Sequence, residues 1–89
     1  VSFSVKALSR YKTNSFVMAG QSGTGSSAKM LVFATDIDGN VLEGTEMILG
    51  GTGIQVAYDV ISDADDNIIV VGKNSYEKNS MISLIKFRF

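Results

Sequence analysis

The chain matches itself at a shift of 52 residues with no gap: "NSFVMAGQS" (14–22) falls on "DNIIVVGKN" (66–74), with Gly20 over Gly72. At the same shift Met30, Val32, Phe33 and Thr35 fall on Ile82, Leu84, Ile85 and Phe87, and Leu8 falls on Val60, whereas Leu31 over Ser83 is a mismatch. A repeated unit of this length is one supersecondary element that cannot bury its apolar side alone and must stack on a neighbour.

The unit is built of strands. Nine glycines, no proline and many β-branched residues suggest short strands separated by glycine turns. "FSVKALS" (3–9) places Phe3, Val5 and Ala7 at strand spacing, although Leu8 breaks the alternation. "SFVMAG" (15–20) and "NIIVVG" (67–72) are apolar on both faces, the pattern of strands inside a packed sheet. "KMLVFATD" (29–36), "NVLEGTEMIL" (40–49), "QVAYDVIS" (55–62) and "MISLIKFRF" (81–89) complete seven strands. A helix is the rival for "SSAKMLVFATD", but Asp38-Gly39 between two apolar runs is a hairpin signal and favours strand. A period of about 50 residues with three or four strands per unit is the signature of propeller blades. The expected fold is all-β, two adjacent β-propeller blades. Residues 1–50 form an antiparallel four-stranded meander (strands A-D), and residues 51–89 an incomplete, three-stranded blade (A-C). A seven-stranded sandwich fits the strand count but does not predict the repeat.

Composition narrows the chemistry. The 89 residues contain no cysteine and no histidine, which removes disulfides, thiolate metal sites and the commonest general base. A net charge of −1 argues against nucleic-acid binding, which needs a basic face. Residues 1–35 carry four basic groups and no acid, and residues 36–66 eight acids and no base, a split that a sheet fold can interleave as solvated edges and turns. No run reaches the roughly 18 apolar residues of a membrane span, and "VSFSVKALSRYK" lacks the basic start and apolar core of a signal peptide.

"GQSGTGSS" (20–27) is one residue from a phosphate-binding loop, with Ser26 where the lysine belongs. Its partner under the shift, "KNSYEKNS" (73–80), has no glycine, so both read as hairpin loops between the second and third strands of a blade. "DIDGN" (36–40) and "DADDN" (63–67) invite calcium, but glycine is not sixth and no glutamate is twelfth, so turn formation is the reading. The acids cluster in turns where water keeps them ionised, and no pair suggests glycoside hydrolysis. Tyr58, in an apolar strand, is expected in the core with its hydroxyl at the rim, whereas Tyr76, beside Glu77 and Lys78 in a polar loop, is the candidate contact for a ligand or partner.

Over residues 38–74 the chain resembles the propeller-like repeats of bacterial cell-surface and secreted proteins. Gly39-Asn40-Val41-Leu42, Gly50-Gly51-Thr52-Gly53, Ala57-Tyr58, Asp66-Asn67 and Gly72 follow that pattern in order, and "SLIKF" (83–87) matches its last strand. Three departures stand out. Glu43 replaces the family tryptophan, Ile54-Gln55 replaces an acidic pair, and two extra residues between Leu42 and Gly50 make an irregular outer strand the expectation. The resemblance implies a non-catalytic scaffold or protein-binding module of an extracytoplasmic protein, with no shared active site, no cofactor and no metal. A lectin-like, carbohydrate-binding module is the alternative. Because the chain stops at Phe89, before a fourth strand of the second unit, two apolar sheet faces and an open edge should need cover from further blades, another copy or a protein partner.

Overall fold

The computed structural model describes residues 3–23, 28–49, 53–76 and 79–89, with Tyr76 described by its backbone alone. It is all-β. Strands β1 (Phe3–Tyr11), β2 (Ser15–Ser22), β3 (Lys29–Asp36) and β4 (Met47–Leu49) form one antiparallel sheet in the order β1-β2-β3-β4. Strands β5 (Ile54–Ser62), β6 (Ile68–Tyr76) and β7 (Asn79–Phe87) form a second, in the order β5-β6-β7. Among the described residues no helix is long and apolar enough to cross a membrane.

The apolar runs become strands because their residues bury one side chain in two against the other sheet. Val17 and Ala19 of β2 and Met30, Val32 and Ala34 of β3 share one face through the pairs Val17↔Ala34, Ala19↔Val32 and Gln21↔Met30. That face packs on Ala57, Val60, Ile68 and Val70 of the second sheet, and Tyr11 closes one end. Met30, Val17, Val32, Ile68 and Val70 are fully buried, each contributing roughly 1.5–3 kcal/mol of transfer free energy. Phe89 stacks edge-on against Tyr11 (5.7 Å between ring centroids) and Phe87 (5.4 Å). Backbone and polar bonds cross between the sheets as well, from Gln55 N to Ala28 O (2.9 Å), from Lys29 Nζ to Gly53 O (2.7 Å) and from Ser62 Oγ to Arg10 O (2.6 Å).

The first strand of each sheet carries a β-bulge at a corresponding place. In β1, Val5 pairs with Gly20 and Ala7 with Ala19, leaving Lys6 as the extra residue. In β5, Ala57 pairs with Gly72 and Asp59 with Val71, leaving Tyr58 extra. An inserted residue flips the faces that follow it, so Phe3, Val5 and Leu8 lie on one side of β1 while Ala7, expected with Phe3 and Val5, points to the core. The flip is why Leu8 breaks the alternation. Both glycines are needed because the bulged strand comes so close. A Cβ on Gly20 would collide with the Ser4 carbonyl and lie 2.8 Å from Val5 Cα; on Gly72 it would collide with the Val56 carbonyl and lie 2.7 Å from the Met30 terminal methyl.

Two expectations need correction. Segment 73–80, read as a loop, is ladder at Lys73–Ser75 (with Ile82, Met81 and Ser80 opposite, in that order), and Tyr76 pairs with Asn79. Polar side chains suit a strand whose surface is wet, and here Ser75 and Ser80 bond to each other across it (3.1 Å). Segment 40–49 is strand only at Met47–Leu49, with a lone bridge from Val41 to Thr35. The irregular stretch between is anchored by the buried Thr45, whose hydroxyl accepts from Ala34 N (3.0 Å) and donates to Leu42 O (2.7 Å), standing in for ladder bonds that the missing strand would make.

Gly20→Ala and Gly72→Ala are each expected to lower stability by about 1–3 kcal/mol, the usual cost of forcing extra atoms into a packed site. A urea midpoint for either variant equal to that of the unmodified chain would contradict the close approach.

Candidate interaction surfaces

The sheets pack front to back. The first sheet's buried face carries Val17, Ala19, Met30 and Val32; 52 residues on, Ile69, Val71, Ile82 and Leu84 form the second sheet's outer face. There Ile82 is 86% exposed and Leu84 70%, with Val71 and Ile61 beside them also exposed. Conversely, the second sheet buries Ala57, Val60, Ile68 and Val70. Their counterparts Val5, Leu8, Phe16 and Met18 lie on the first sheet's outer face, with Val5 and Leu8 about half exposed. Each sheet therefore shows solvent the apolar face that its neighbour uses for the core.

Each outer face has a shallow depression on it. On the first sheet Phe3, Val5, Leu31, Phe33 and Val41 line a shallow groove with Glu46 at its rim. On the second, Tyr58, Val71, Met81 and Ile82 line a hollow with Lys73 and Ser80. Tyr58 corrects the reading that placed it in the core: it is 56% exposed, because the bulge leaves it out of the ladder. Tyr76 lies at the far end of β6, paired through its backbone with Asn79, while its side chain and the whole of Glu77 and Lys78 fall outside the described residues. Of the proposed contact trio, the structure thus locates only the Tyr76 backbone. Compared with family models, with curated proteins and with solved structures, the chain matches none.

The other motifs resolve into local structure. Gly20, first glycine of the phosphate-loop pattern, sits in the β2 ladder opposite Val5 and Leu31, and the element after the loop is β3. Among the described residues no helix N-terminus stands behind it to receive a phosphate; Thr24, Gly25, Ser26 and Ser27 lie outside them. The two acidic motifs make one and the same turn. Asp36 Oδ1 accepts from the backbone N–H groups of Asp38 and Asn40 (2.9 Å each), and Oδ2 accepts from Asn40 Nδ2 (3.1 Å). Asp63 repeats this with Asp65 N (3.0 Å), Asn67 N (2.9 Å) and Asn67 Nδ2 (3.1 Å). Gly39 (φ 91°) and Asp66 (φ 63°) take the left-handed position in each turn. Among the described residues no three acidic side chains gather as a cation site.

These hydrogen bonds favour the ionised form, so both carboxyls titrate below the ordinary 3.8, chiefly through the backbone N–H of Asn40 for Asp36 and of Asn67 for Asp63. A depressed folded-state pKa gives stability that is present above the unfolded value and lost as pH falls through the folded one. Asp36→Asn and Asp63→Asn should therefore lower the urea midpoint at neutral pH, and each should lose less stability than the unmodified chain on acidification below about pH 4. Equal acid sensitivity in all three proteins would refute this assignment.

Proposed function

We propose that this chain is a non-catalytic protein-interaction or scaffold module, a pair of propeller-type blades belonging to a larger or oligomeric β-propeller of an extracytoplasmic protein. The observation that carries this reading is the pair of outer faces, one with Phe3, Val5 and Leu8 and the other with Ile61, Ile82 and Leu84, all more than 45% exposed. Contiguous aliphatic surface of this kind on a small domain marks a contact with another macromolecule, and a domain of this size has little stability to spare for leaving it wet. The blade reading draws its support from the antiparallel meander, from corresponding bulges and glycines 52 residues apart, and from the front-to-back stacking. Placement outside the cytoplasm rests on the sequence resemblance alone.

A protein partner suits the hollows better than a sugar. A glycan site needs several convergent hydrogen-bonding groups around a stacking ring, whereas Tyr58 is accompanied mainly by Val71, Met81 and Ile82. Asp36 and Asp63 engage their carboxylates in turn hydrogen bonds, which leaves them poorly suited to acid–base catalysis.

A photo-crosslinking amino acid placed at Phe3 or at Ile82 in the producing cell should give protein adducts of discrete mass, and one placed at exposed Lys12, in the β1–β2 turn, should give none. A glycan array should stay blank. Absence of adducts from both faces, together with turnover abolished by a single carboxylate substitution, would overturn the scaffold reading.

A further inference from the structure

We infer that the occupant of the outer faces is a second copy of this chain, docked head to tail so that the face bearing Ile82 and Leu84 of one copy packs on the face bearing Val5 and Leu8 of the next. The inference rests on reading those faces as docking surfaces and names what docks. Its basis is the contact already present within the molecule. Met30 projects from the first sheet, and its terminal methyl occupies the space that a side chain on Gly72 would need. Around that knob, Val17, Ala19 and Val32 meet Val60, Ile68 and Val70.

Both faces of this contact recur with no second sheet against them among the described residues. Ile82 takes the place of Met30 on the second sheet's outer face and is 86% exposed, with Val71 and Leu84 where Ala19 and Val32 stand. Gly20 takes the place of Gly72 on the first sheet's outer face, with the bulged strand crowding it from the same side. Leu8, Phe16 and Met18 stand where Val60, Ile68 and Val70 stand about Gly72, but Leu31 replaces Ser83 opposite the glycine and Gly20 is already buried, so an incoming face would meet Val5 and Leu8 rather than the glycine itself. Among the described residues the face of Ile82 (the knob face) is thus exposed on one end of the molecule, and the face of Val5 and Leu8 (the glycine face) on the other. Such a pair is heterologous: it joins unlike faces, it can propagate, and it closes into a ring only if the rotation per copy allows.

Two variants with opposite faces blocked give the test. Ile82→Glu places a charge on the knob face and Leu8→Glu one on the glycine face, both at exposed positions where folding can be verified by circular dichroism. The unmodified chain should sediment above its 9.5 kDa monomer mass at concentrations up to roughly 100 μM, enough to saturate a micromolar interface. Each variant alone should be monomeric. An equimolar mixture should give a dimer and nothing larger, because Leu8→Glu retains its knob face and Ile82→Glu its glycine face. Leu84→Glu with Phe3→Glu provides a second pair should either first variant unfold. A monomeric unmodified chain, self-association of a single variant, or a mixture that stays monomeric would overturn the inference. A monomer that still forms adducts at Ile82 or Phe3 with a different protein would do so while leaving the scaffold reading intact.

Discussion

The seat of Met30 over Gly72 sets the distance between the sheets, and most of the structure follows from it. A sheet gains little by folding unless one of its faces leaves water, and here the two can approach because position 72 has no side chain to intervene. The same missing Cβ lets β5 bulge toward β6 from within its own sheet, through Val56 and Ala57. One glycine therefore serves two close approaches, one inside a sheet and one between sheets. The fully buried aliphatic side chains lie around this point, and their burial supplies the main favourable term for a chain with no disulfide.

Front-to-back packing has a cost that a two-fold arrangement would avoid. Had the sheets met through like faces, the corresponding aliphatic residues of both would share one core. Instead the second sheet turns Ile82 and Leu84 outward while the first turns Phe3, Val5 and Leu8 outward. For a small domain this is a considerable apolar area in contact with water. The β7 edge adds to it, since no described strand lies beyond it, whereas the equivalent edge of β3 is covered by β4 and the Val41 bridge.

Polar side chains do the finishing work where strands end or fail. Asp36 and Asp63 each bring back a chain with a carboxylate that gathers three N–H donors, and Thr45 holds an irregular stretch against β3 with one hydroxyl. These are short-range devices. They settle how the chain reverses and have no need of a metal ion, even though their spacing of oxygen-bearing residues resembles what a cation would use.

Strand identity was legible from the sequence because it depends on local composition: β-branched runs, glycine punctuation and the Asp-Gly turn are sufficient to mark all seven segments, and the 52-residue correspondence places Gly20 and Gly72 together. The extension of the ladder through polar residues 73–76 is not legible in the sequence, since hydrogen bonding along a wet strand leaves no hydrophobic pattern. The trio Tyr76, Glu77 and Lys78 stands out in the sequence by its polarity and its side chains lie outside the described residues, whereas the apolar outer faces can be recognised only by knowing which side of each strand faces out. Only the tertiary structure decided that. A single inserted residue, Lys6 or Tyr58, reverses every side chain after it, and whether an apolar face becomes core or surface depends on which sheet comes to lie against it.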